Sequence, residues 1–88
     1  MIRRRVVVHG RVQGVFFRDS TRRLAQQHGV AGSVANRWDG AVEAVFEGGE
    51  DAVQRLVDYA RRGPRGAQVD SIEVTEETPE GLTGFTVR

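Results

Sequence analysis

Val30-Ala31-Gly32-Ser33-Val34-Ala35-Asn36-Arg37-Trp38-Asp39-Gly40-Ala41-Val42-Glu43-Ala44-Val45-Phe46-Glu47 is the stretch from which the fold can be read. Its period is two. Val30, Gly32, Val34, Asn36 and Trp38 fall on one face of an extended chain, with Ala31, Ser33, Ala35 and Arg37 on the other. The return run sets Val42, Ala44 and Phe46 on one side and Glu43, Val45 and Glu47 on the other. Between the two runs stands Asp39-Gly40, the strongest short hairpin signal in the chain. Two antiparallel strands joined by a turn are therefore predicted.

Moving outward, the period changes on both sides. Upstream, Phe17, Leu24, Ala25 and His28 recur at helical spacing, and Gly29 stands where a helix C-terminus wants a glycine; the helix is predicted over 18–28. Downstream, Gly48-Gly49 ends the return strand and Glu50-Asp51 suits the positive pole of a helix start. Ala52, Val53, Leu56, Val57 and Ala60 then form a second apolar stripe, closed by Arg61 and Arg62 at the opposite pole. Beyond the helices lie Arg4–Val12, rich in valine, and Val69–Thr75, which alternates after the Gly63-Pro64-Arg65-Gly66 turn. Pro79–Gly84 reads as a turn region and Phe85–Arg88 as a short last strand. Each helix must bury its single stripe, so both cover one face of the sheet. The predicted class is α+β, a ferredoxin-like βαββαβ sandwich with a mostly antiparallel sheet and a short extra C-terminal strand. Residues 1–88 are expected to form one domain. That fold hosts many activities and decides none.

Composition removes several chemistries. A chain of 88 residues, 39% apolar and 28% charged, has the profile of one small globular domain. It holds no Cys, hence no thiol nucleophile, iron–sulfur cluster or disulfide. All thirteen basic residues are Arg, which excludes a Schiff base and a P-loop lysine. His9 and His28 alone are too few for a typical zinc site, and His9 reads as a structural or edge histidine. A net charge of +1 gives weak long-range attraction for nucleic acid or an anionic membrane, so neither is an expected partner. The longest apolar run near the start, Val6–Val8, falls far short of a signal-peptide core or a membrane span, and a cytoplasmic location is expected.

Chemistry concentrates in Gly10-Arg11-Val12-Gln13-Gly14-Val15-Phe16-Phe17-Arg18. The segment leaves a strand, turns at Gly14 and enters a helix. Such a turn lets consecutive N–H groups point inward around an anion, and the helix start adds unpaired donors and partial positive charge. Arg18 falls in the first helical turn, the wrong pole for a cation. A guanidinium there makes sense if a dianion normally occupies the space, because Arg grips phosphate with two parallel bonds. Phe16 and Phe17 read as core residues.

These residues carry a resemblance. Val8 to Arg18 resembles the first signature of the acylphosphatase family without a break, and Gly32-Ser33-Val34-Ala35-Asn36, with Gly40, Val42 and Gly48, is similar to its second. The Gly63-Pro64 turn, Val69-Asp70 and Gly84-Phe85 look like the family's C-terminal half, so the likeness spans the chain. Ser33 departs from it, standing where the family usually has an aromatic residue. The resemblance implies hydrolysis of an acyl phosphate to a carboxylate and inorganic phosphate, with no metal or organic cofactor. It implies that Arg18 and the backbone N–H groups of Gln13, Gly14, Val15, Phe16, Phe17 and Arg18 hold the phosphoryl group, and that Asn36 positions the attacking water. Inorganic phosphate is then both product and competitive inhibitor. An amide at 36 both accepts from and donates to water without repelling the phosphate, as a carboxylate would. The short chain favours a stand-alone enzyme over an acylphosphatase-like domain within a larger machine, and a monomer is expected. A binding module on the same fold, such as an RNA-recognition sheet, would show stacking aromatics on adjacent central strands, and these are lacking. Roles for Arg22, Arg23 and Arg37 beyond surface charge are not legible.

Overall fold

A valine-rich strand that is apolar on successive residues suits a sheet interior, and that is where the first strand lies. In a computed structural model describing residues 1–88, the elements are β1 (Ile2–Arg11), α1 (Phe17–Gln27), β2 (Ala31–Asn36), β3 (Val42–Gly48), α2 (Glu50–Ala60), β4 (Gln68–Glu77) and β5 (Phe85–Val87). The sheet order is β4-β1-β3-β2-β5, antiparallel throughout except for the parallel pair β2 and β5. This is the predicted α+β architecture. α1 starts one residue earlier than the stripe suggested, and β4 runs longer than the alternation of Val69–Thr75.

One face of the sheet makes the core. Val6 and Val8 of β1, Val34 of β2, and Val42, Ala44 and Phe46 of β3 pack against Phe17 and Ala25 of α1 and against Val53, Leu56, Val57 and Ala60 of α2. Each large aliphatic side chain buried there contributes about 1.5–3 kcal/mol relative to exposure. β1 joins this core to the loop that follows through a register shift between His9 and Gly10. A Cβ on Gly10 would stand 2.2 Å from the Gln68 carbonyl oxygen, so the bulge brings two backbones closer than any side chain permits.

The hairpin is wider than its signal. β2 ends at Asn36 and β3 begins at Val42, so Asp39-Gly40 lies inside the connection 37–41. There Gly40 takes φ 92°, the Arg37 N–H donates to the Ala41 carbonyl at 2.8 Å, and the Ala41 N–H donates to the Asp39 carboxylate at 3.1 Å. His9 sits on an interior strand and is not an edge residue; its Nε2 lies 2.6 Å from Glu73 Oε2 of β4. Ser33 is half-buried, between Val45 and Thr86 on the neighbouring strands.

The face away from the helices is not bare. Glu47, on that face, is 1% exposed, because the segment between β4 and β5 folds over it. Its carboxylate accepts the N–H groups of Glu80, Gly81 and Leu82 at 2.9, 2.8 and 2.9 Å, and Arg3 Nη1 at 3.3 Å. The Glu80 N–H, foremost among these bonds, holds the Glu47 carboxyl below its ordinary range against the opposing effect of burial. Nearby, Arg5 and then Arg3 depress the Glu77 carboxyl, and that carboxylate in turn raises both guanidinium groups.

Candidate active site

At the other end of the sheet, β1 gives way to residues 12–16 and then α1. Gly14 takes φ 75°, a left-handed conformation that glycine adopts without the steric cost a side chain brings. None of the N–H groups from Gln13 to Asp19 donates to a main-chain carbonyl; the first that does is Ser20, to the Phe16 carbonyl at 3.0 Å. A helix leaves its first N–H groups unpaired by construction, and here the preceding loop extends the run. The result is a set of donors at the positive pole of α1.

Arg18 lies in the first turn of α1, as predicted. Its Nη1 donates to the Arg88 main-chain oxygen at 2.8 Å, and it pairs with no Asp or Glu side chain. Arg88 is fixed in turn by its N–H, which donates to the Val34 carbonyl at 2.9 Å. A guanidinium has five N–H donors, so the bond to Arg88 leaves others for a ligand. Asn36 ends β2 with its side chain exposed. The structure brings Arg18 and Asn36 into one cleft of about 320 Å³, with Val12, Gly14, Phe16, Phe17, Asp19 and Val87.

Of the adjacent phenylalanines, only one follows expectation. Phe17 is buried, with its ring against Gly63, where a Cβ would stand 2.6 Å away. Phe16 is not a core residue: it is 81% exposed, and its φ of 62° makes it the one non-glycine residue with positive φ. That conformation costs an L-residue about 1–2 kcal/mol. The left-handed step before the helix turns successive side chains apart, so one ring enters the core and the other lines the cleft.

Gln13 has a role that its linear position did not reveal. Its side-chain amide donates to the Arg37 and Ala41 carbonyls at 2.8 and 2.9 Å, tying the loop to the hairpin that carries Asn36. The signal for this appears only once β1 and β3 are paired. The Val15 side chain packs against the core, so only its backbone is offered to the loop. Val87 was likewise missed as a cleft wall, since nothing local places β5 beside β2. Arg22 and Arg23 both bind Asp19, at 2.6 and 2.8 Å, which neutralises the acid lining the cleft. Arg37 pairs with Asp39 at 3.1 Å and Glu43 at 3.7 Å. No helix is long and apolar enough to cross a membrane.

Comparison with known proteins agrees with this fold. The acylphosphatase family model matches residues 4–87. An acylphosphatase of Gloeobacter violaceus is 57% identical over 86 residues, which cover 98% of this chain and 92% of that protein. The crystal structure of the Bacillus subtilis acylphosphatase superposes with a TM-score of 0.95 at 40% identity, over 100% of this chain and 99% of that one. An acylphosphatase from Coxiella burnetii gives a TM-score of 0.94 at 37% identity, over 99% and 92%. A sheet of this order, with a donor-rich strand-to-helix loop at one end and sequence kinship along nearly its whole length, places the chain in the acylphosphatase family, the hydrolases of acyl phosphates.

Proposed function

We propose that the cleft between the Gln13–Arg18 loop and Asn36 is where this hydrolase cleaves acyl phosphates, and that it does so without a metal. The phosphoryl oxygens accept the N–H groups of the loop and the free donors of Arg18. The Asn36 amide holds a water so that its oxygen attacks phosphorus. The bond from phosphorus to the acyl oxygen breaks, the carboxylate departs with the electron pair, and the water proton passes to a phosphate oxygen. A carboxylate is a good leaving group, so the protein need not supply a strong base. Positioning contributes about 7–11 kcal/mol to such a reaction and fixed donors several more.

The observation that carries this reading is the unbroken run of N–H groups from Gln13 to Asp19 without main-chain acceptors, beside an arginine that pairs with no Asp or Glu side chain. We further assign the enzyme to the cytoplasm as a monomer with residues 1–88 as its catalytic unit; sedimentation velocity checks the mass. The deciding assay follows the loss of benzoyl phosphate with and without excess chelator. Chelator-resistant hydrolysis is expected, and a flat trace overturns the assignment.

A further inference from the structure

We propose that the exposed ring of Phe16 is the acyl-group subsite and makes this enzyme prefer aromatic and other apolar acyl phosphates over small or carboxylate-bearing ones. The inference rests on the cleft being the catalytic site and goes on to name its substrate class. The ring is unexplained by folding. It lies outside the core cluster, it stacks on no other aromatic, and it is 81% exposed. The backbone does not call for it either, since a φ of 62° suits glycine better than any aromatic residue. Strain of this kind persists where the surrounding structure holds it, commonly at sites that bind ligands.

Its place gives it a use. The Phe16 N–H belongs to the donor run that faces the phosphoryl group, and the acyl part of the substrate begins one bond from phosphorus. A phosphoryl group bound by that N–H therefore brings the acyl part within reach of the Phe16 ring. The cleft is also larger than its anion. Allowing each of four phosphate oxygens a water's share of about 30 Å³ leaves more than half of the roughly 320 Å³, beside the apolar walls of Val12, Phe17 and Val87. Charge sets the other half of the preference. Arg18 is the only cation lining the cleft, and Asp19 is already neutralised by Arg22 and Arg23. A second anionic group on the acyl part finds no free partner there, while an aryl ring finds a π face and three apolar neighbours.

The test compares kcat/KM for benzoyl, acetyl and succinyl phosphate in the wild type, Phe16→Ala and Phe16→Leu. All three substrates share the phosphoryl group, so any common loss cancels in their ratios. The wild type is expected to favour benzoyl phosphate over both others. Phe16→Ala should lower the benzoyl-to-acetyl ratio about ten-fold, and Phe16→Leu, which keeps an apolar side chain, should lower it less. A ratio within two-fold of wild type in both variants overturns the subsite while leaving the catalytic assignment intact. A wild type that prefers succinyl phosphate also overturns it. A wild type that hydrolyses none of the three sinks the catalytic assignment and this inference with it.

Discussion

Two loops of this chain present consecutive N–H groups at a left-handed glycine, and the chain treats them in opposite ways. At one end, the N–H groups of Glu80, Gly81 and Leu82 converge on the Glu47 carboxylate, with Arg3 as the accompanying guanidinium and Gly81 at φ 76°. At the other, the N–H groups from Gln13 to Asp19 have no main-chain acceptor, Arg18 pairs with no Asp or Glu side chain, and Gly14 takes φ 75°. The chemistry is shared: a backbone nest and a guanidinium suited to an anion. Where the anion is the chain's own, the device fastens a loop. Where it must arrive from solution, the same device becomes a binding site, and its cost to the fold is carried by the core.

The sharpest way to break this comparison is to remove each partner and ask what is lost. Arg18→Ala is expected to lower kcat/KM for benzoyl phosphate by about two to three powers of ten and to abolish competitive inhibition by phosphate. Its melting temperature should stay close to the wild type's, because removing a cation from a helix start is favourable while the bond to the Arg88 main-chain oxygen is lost. Retained phosphate inhibition would remove Arg18 from the cradle. Next in size, Asn36→Ala should cut turnover about 10²-fold with phosphate inhibition nearly intact; normal turnover would strip Asn36 of its role in holding water.

Glu47→Gln reverses the pattern. Turnover should persist while thermal unfolding shifts down by about 4–8 °C, since an amide offers one acceptor oxygen in place of two. The pH dependence has a definite sign. Glu47 and Glu77 have folded-state carboxyls held below the ordinary value of 4.5, so their contribution is fully present above that pH and is lost as pH falls through the depressed values. Acid titration of unfolding should therefore show a flatter limb in Glu47→Gln than in the wild type. Identical limbs would mean that the carboxylate does not fasten the loop. The smallest effect belongs to Gln13→Ala, which deletes two hydrogen bonds of about 1 kcal/mol each. It should weaken kcat/KM by about ten-fold or less, without changing the ratio among acyl phosphates.

Much of this was readable in advance because alternation and helical stripes report one-sided burial, and burial decides the layers. The hairpin, both helices and the single-faced core follow from that. The meeting of Arg18 and Asn36 was legible from the resemblance of their two motifs to one family, and the fold explains it, because the first turn of α1 and the last residue of β2 line the same cleft. Three features were not. Phe16 escapes because no local preference places an aromatic ring at a positive φ. Glu47 looks like an ordinary outward residue until a loop 33 positions away closes over it. Gln13 looks like one more loop residue until pairing sets the hairpin carbonyls beside its amide. Each depends on contacts between segments distant in sequence, where periodicity carries no information.

The cleft takes one wall from Val12 and another from Val87, which has implications for biosynthesis. A ribosome that has released the first motif still holds a chain without its opposite wall, without the β4 partner of β1, and without the main-chain oxygen that Arg18 grips. Hydrolytic competence should thus arrive in one step, after residue 88 has left the exit tunnel, and stalled nascent fragments should be inert toward the metabolite pool.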